Sequence, residues 1–419
     1  MRVTPVLTSR GASQGASPPI LLLALVTLLC ATPLAAEEAE TRAGQILQAR
    51  REKAETLKPE KPYPVERRMI QLEKMGIFDP VPHGLKPRIG GLPTGQGFAI
   101  GPQYLNSRLA GGHLALRTSV AGSTSQAWLA DVQLTTRRIA DERVFADLLV
   151  SHLNAPRIDY YGPSANSEKG SRTNFRLESN SAMGNFGVRP LAPLSLGVTA
   201  GYLEMNTGPG NHDDLAQIGD VFGPLTTPGI IDQTDFLLTG VFAQFDYRDL
   251  PGGPRKGGNY IARFVHYDDR ELDRHSFRRL HLEAQQYFSF FQSRRTIALR
   301  GRTVMTFANG AGQTVPFYLQ PYLGGSDDLR GFRSYRFYDD HHIVLNAEYR
   351  WEAFAGLDMA LFFDAGKVAP RRSQINFHDL EETAGFGFRF NGNDSVFMRI
   401  DFGFSREGFQ FWFKFGNPF

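Results

Sequence analysis

In the last third of the chain, side-chain character alternates with a period of two. Ile343, Leu345, Ala347, Tyr349 and Trp351 share one face, and Asn346, Glu348, Arg350 and Glu352 share the other. Leu357, Met359, Leu361 and Phe363 then alternate with Asp358, Ala360, Phe362 and Asp364. Phe-rich runs over 384–390, 398–404 and 409–415 repeat the pattern, and their opposite faces include Arg389, Arg399, Asp401 and Lys414. A period of two means strands. Strands that are apolar on one side and charged at mid-length on the other belong between lipid and water. A soluble sandwich would rarely place Arg399, Asp401, Glu348 and Asp364 at mid-strand. In a barrel these are lumenal positions able to meet water.

The mean hydropathy of −0.29 does not argue against a membrane. Half of a transmembrane barrel's residues face water, so its average reads as soluble. Beyond the leader, no apolar run approaches the roughly 18 residues that a spanning helix needs. The fold class expected is all-β: a transmembrane antiparallel up-and-down β-barrel of about 16 strands, preceded by a short helical periplasmic segment.

Loop lengths give the barrel its sides. Long gaps fall at 154–172, 206–233 and 308–341, separated by short turns such as 191–193 and 292–294. Outer-membrane barrels put short turns on the periplasmic side and long loops outside. Counted back from the C-terminus, every long gap lies outside, and 308–341 becomes the sixth outer loop. Clear strands begin at Phe98. A short first strand near 85–91 makes the number even, as single-chain bacterial barrels require.

The N-terminal part divides in two. Residues 1–36 read as a signal peptide: Arg2 and Arg10, an apolar run over 20–31, and Leu34-Ala35-Ala36 before Glu37. Cys30 is the only cysteine and falls in this leader, so the mature chain has no disulfide or thiolate metal site. Residues 37–84 form a charged, helix-prone segment or linker, broken near Pro59 and Pro62, with Val65, Met69, Leu72 and Met75 on one stripe before Gly76. Residues 85–419 are the barrel.

Within the sixth loop, Leu329-Arg330-Gly331-Phe332 puts a cation beside a glycine and an aromatic. Alternation turns Asp364 and Glu348, on the two following strands, toward the lumen. Arg330 is therefore expected to fold back onto Asp364, with Glu348 the second choice, because a guanidinium pairs a carboxylate through two parallel hydrogen bonds.

Arg330-Gly331-Phe332, followed by Phe362-Phe363-Asp364-Ala365-Gly366, resembles the barrel motifs of the BamA/TamA superfamily of outer-membrane assembly proteins. The resemblance is clearest from about 294 to 419. It implies a bacterial outer-membrane location and a role in moving protein or lipid into or across that membrane. The implied partners are outer-membrane lipid, client proteins and a separate periplasmic protein. It assigns Arg330, Gly331 and Phe332 as the loop anchor, Asp364 and Glu348 as its acids, and Phe362 and Gly366 as strand motif residues. It also implies a weak seam between 85–91 and 409–416. Phe419 resembles the terminal aromatic by which such barrels are recognised for assembly. The family usually carries periplasmic polypeptide-transport-associated modules, and 37–84 is too short to hold one. That departure keeps a second reading open, a passive pore or structural barrel.

Other chemistry has little footing. A G-x-S-x-G match at 11–15 lies in the leader, and there is no phosphate-binding loop or H-E-x-x-H. Asp339-Asp340-His341-His342 reads as a solvated loop edge rather than a metal site. The formal charge of +3 is too small to argue for nucleic acid. No enzyme, cofactor or metal is expected.

Overall fold

The computed structural model describes residues 83–137, 139–354, 356–392 and 395–419. The expected leader and residues 37–82 of the charged segment lie outside them, as does the question of periplasmic modules, whereas His83 and Gly84, expected to end that segment, already belong to the first strand. Sixteen strands form the wall: β1 His83–Ile89, β2 Ala99–Leu109, β3 Leu114–Ser123, β4 Trp128–Thr136, β5 Val144–Tyr160, β6 Thr173–Leu191, β7 Leu194–Pro209 and β8 Phe236–Asp246, then β9 Gly257–Asp269, β10 Phe277–Phe290, β11 Arg295–Ala308, β12 His341–Phe354, β13 Leu357–Ala369, β14 Glu381–Asn391, β15 Val396–Ser405 and β16 Gly408–Phe415. Each pairs antiparallel with the next. The barrel is nearly closed. Among the described residues no ladder joins β1 to β16.

The alternating faces fall as the period requires. Leu345, Leu361, Phe363, Phe386, Phe404, Phe409, Phe411 and Phe413 are exposed on the outer wall, whereas Glu348, Asp364, Arg389, Arg399 and Asp401 are buried inside. No helix among the described residues is long and apolar enough to cross a membrane.

Short connections at 110–113, 192–193 and 291–294 mark one end, and long ones at 161–172, 210–235 and 309–340 the other. The first long connection is shorter than its sequence suggests. Strand β5 runs on to Tyr160 through a bulge between Ala155 and Ile158, because a bulge lets a strand bend without ending. Beneath the long loops, Tyr160, Phe175, Phe236, Phe277, Phe317 and Tyr338 pack into an aromatic core. The Tyr160 and Tyr338 rings lie 4.9 Å apart, and Phe175 and Phe317 5.0 Å.

Candidate functional site

The sixth outer loop, 309–340, turns inward. Gly324 and Gly325 have φ of 111° and 108°, a backbone region that side-chain-bearing residues rarely adopt, and Gly325 N–H donates to the Phe332 carbonyl at 3.2 Å. This hairpin delivers the 329–332 tip to the lumenal face of β12–β16. Leu323, Leu329, Phe332 and Phe337 pack there against Val344 and Val368.

Arg330 is 1% exposed. Its Nε and Nη2 donate to the two Asp364 carboxylate oxygens at 2.9 and 2.7 Å, and its backbone N–H adds a third bond to Oδ2 at 3.1 Å. Nη1 donates to Glu348 Oε2 at 2.6 Å. Both candidate acids therefore meet the same guanidinium, and Asp364 takes the fork. The Phe362 ring lies 3.5 Å beneath the guanidinium carbon. This accounts for an aromatic two residues before Asp364, since alternation points both into the lumen.

The tip is gripped through its backbone as well. Trp412 Nε1 donates to the Arg330 carbonyl at 2.7 Å, Ser405 Oγ to the Gly331 carbonyl at 2.7 Å, and Gly331 N–H to Thr383 Oγ1 at 3.2 Å. Such close approach needs missing side chains. A Cβ at position 331 would come 2.8 Å from the Phe404 carbonyl carbon, and one at 403 would overlap the Arg330 carbonyl. A Cβ at 385, directly across from 403, would overlap the Phe362 ring. Gly366 also lacks room: a Cβ there would approach the Ile343 carbonyl at 2.7 Å.

Sequence reasoning placed Arg399 and Asp401 in the lumen but expected them to meet water. They belong instead to a buried ionic lattice around the anchor. Glu348 also accepts from Arg350 Nε at 2.7 Å and from Arg389 Nη2 at 2.8 Å. Asp401 lies 2.6 Å from Arg389 Nη1 and 2.9 Å from Arg399 Nη1. Arg399 also pairs with Asp327 and donates to the Ser326 carbonyl at 2.9 Å. Four guanidiniums (330, 350, 389 and 399) thus face three buried carboxylates (348, 364 and 401) and Asp327 of the loop, whose side chain is exposed. The inward loop covers the strand residues, which is why those positions are dry. The signal that could have found them is the run of mid-strand charges on adjacent lumenal faces.

Other expected residues lie elsewhere. The Phe419 ring sits between the Arg300 and Arg350 guanidiniums, 5.7 and 5.6 Å away, rather than on the outer wall. The 339–342 stretch is not a solvated edge. His341 and His342 are both buried, because the loop folds back over the wall where β12 begins. No metal-binding cluster occurs among the described residues. Burial pushes the Asp339 carboxyl up to about 6 and raises Asp340 as well.

A barrel whose sixth outer loop is anchored inside by an Arg-Gly-Phe tip defines a class, and the sequence assigns the chain to it. Residues 115–419 match the Omp85 superfamily domain, and the chain belongs to that superfamily. The fold is similar to that of BamA from Haemophilus ducreyi lacking POTRA domains 1-3, with a TM-score of 0.56 and 14% identity, over 83% of this chain and 77% of that one. CdiB from Escherichia coli superposes with a TM-score of 0.49 and 13% identity, over 83% and 70% of the two chains. No curated protein matches the sequence.

Proposed function

We propose that this protein resides in the bacterial outer membrane and assists the insertion of polypeptides into that membrane or their passage across it. The observation that carries this reading is the contrast at the barrel's ends. The last five strands are clamped together by the loop tip, while β1 and β16 share no ladder. Unpaired strand edges are templates for another chain. A client strand pairing with the edge of β1 or β16 satisfies its own backbone as it enters lipid. The seam contacts gather near the end of β16: Phe98 and Phe415 rings are 6.0 Å apart, and Lys414 Nζ donates to Thr94 Oγ1 at 3.0 Å.

Residues 1–36 act as a leader and 37–82 as a periplasmic segment in this reading, which includes no catalytic step. A passive pore has less support, because the inward loop occupies lumen that a pore would leave open. Depletion followed by comparison of the outer-membrane proteome and lipid asymmetry tests the proposal. A fall in a subset of barrel or exported proteins is the expected result. A steady single-channel conductance with an unchanged envelope proteome would favour the pore. A sharper version bridges cysteines placed at Gly90 and Phe415 with a short bismaleimide. The proposal expects the bridged protein to stay folded and lose activity.

A further inference from the structure

A second polar cluster lies on the lumenal face of β9–β12, beside the Arg330 lattice, which it meets at Ser326 and Asp327. Its side chains share one register row: Arg263 stands across from His281, His281 from Val304, and Val304 from His342. Arg279 is the next lumenal residue on β10, and Arg302 the next on β11. Together with Tyr322, Ser326 and Ser334 of the inward loop, they enclose a cavity of about 420 Å³.

The charges in this cavity do not cancel. Its two acids are already engaged, Asp327 by Arg399 and Asp328 by Arg302. Glu283, next to it, is shared between Arg300 at 2.9 Å and His281 at 3.4 Å. Arg263 has only long hydrogen bonds, 3.4 Å to Asn185 and 3.5 Å to Thr199, and lies over the Phe242 ring. Arg279 donates to the Leu319 carbonyl and, at 3.4 Å, to the Tyr267 hydroxyl. Neither has an ion-pair partner among the described residues. Several polar atoms are also buried without a hydrogen bond: the two ring nitrogens of His342, one a donor and one an acceptor in the neutral ring, with the donors Arg279 Nε, Arg302 Nε and Ser326 Oγ. His342 is only 4% exposed.

Uncompensated cations and idle donors are costly in a confined site, and one ligand type relieves both at once. We propose that this cavity binds a phosphate group as a dianion. Two guanidiniums without an ion-pair partner match its charge, and guanidinium forks match its oxygens. A tetrahedral acceptor reaches donors arriving from several strands and from the loop. Because Ser326 and Ser334 line the cavity from the loop side, the bound group ties the loop to β9–β12, as Arg330 ties it to β12–β16. The phosphate comes from a soluble phosphorylated molecule or from a lipid headgroup entering the lumen. This inference is independent of the polypeptide-insertion reading.

The test uses the purified full-length protein in neutral detergent, titrated calorimetrically with inorganic phosphate. One saturable site is expected. Arg263→Gln and Arg279→Gln should each weaken it by about tenfold or more, equivalent to about 1.4 kcal/mol. Arg117→Gln, a lumenal arginine paired with Asp131 elsewhere in the barrel, should not. A parallel titration in nanodiscs of phosphatidylcholine, with or without phosphatidic acid, separates the sources. Loss of phosphate binding only in the phosphatidic acid discs identifies the headgroup as occupant, and unchanged binding identifies a soluble ligand. Folding of each variant is checked by its gel shift on boiling. Should a Gln variant fail that check, the Lys variant at the same position replaces it and must bind several-fold more weakly. No saturation up to the order of 10 mM phosphate, or an equal loss with Arg117→Gln, overturns the proposal.

Discussion

Strands β12–β16 and strands β1–β4 belong to one wall but are held in different ways. The C-terminal strands share the Arg330 tip, whose partners sit on all five. The N-terminal strands have 7, 11, 10 and 9 residues and one modest polar cluster, in which Asp131 meets Arg88, Arg117 and Ser119. Asp131 itself is buried, but Arg117 keeps 29% side-chain exposure. Arg330 and its acids keep almost none. Stability in such a wall is uneven, and the sparsely tied end is where opening costs least. The proposed insertion role needs one edge to stay put while the other yields, and under that proposal the loop anchor is the fixed side.

Breaking the anchor should have the largest effect. Arg330→Ala leaves Asp364 and Glu348 buried with reduced compensation, and about 3–5 kcal/mol of stability should be lost. Urea unfolding followed by the boiled-versus-unboiled gel shift measures it. Arg330→Lys should fall between, since lysine lacks the planar fork. Arg330→Ala combined with Asp364→Ala should cost less than the sum of the two. If the costs simply add, the clamp is not a coupled unit.

The outer and inner faces of the fixed wall give the next comparison. Phe388→Arg should cost about 2–4 kcal/mol if it lies at the bilayer midplane. Alternation alone suggests that Arg399→Gln is much milder. The buried lattice predicts a comparable loss, because Asp401 and Asp327 lose a shared cation. A mild Arg399→Gln phenotype in the same urea assay would mean that water reaches the lattice.

On the other side, Asp131→Asn should cost only about 1 kcal/mol, because its cations stay partly solvated. Hydrogen exchange should be faster in β1–β4 than in β12–β16. Equal protection would remove the contrast from which the seam mechanism is argued.

The smallest effect is a pH dependence of the loop. Burial raises the Asp339 carboxyl to about 6. The folded loop therefore prefers the neutral acid. Its contribution is fully present below the unfolded value near 4 and is lost as pH rises through about 6. Exchange of the 309–340 amides should quicken over that window beyond its intrinsic pH trend, and Asp339→Asn should flatten the excess.

Much of the molecule was written in local pattern. A period of two sets which side chains face lipid, and it does so residue by residue, so Phe386 and Phe404 face outward and Asp364 and Glu348 inward. Alternating loop lengths set the two ends of the barrel, and the Arg-Gly-Phe and Phe-x-Asp-x-Gly pair marked the anchor and its acid. The tertiary structure decided what those positions meet. Gly385 and Gly403 are ordinary alternating glycines until the loop tip and the Phe362 ring arrive in the space they leave. Arg389, Arg399 and Asp401 read as wet lumenal charges until the inward loop covers them. Arg263, His281 and His342 lie far apart in sequence and share a row only through three strand registers. Facing is a property of one strand and its neighbours in sequence. Partners depend on how the wall curves and where one long loop comes down inside it, and no local pattern encodes that.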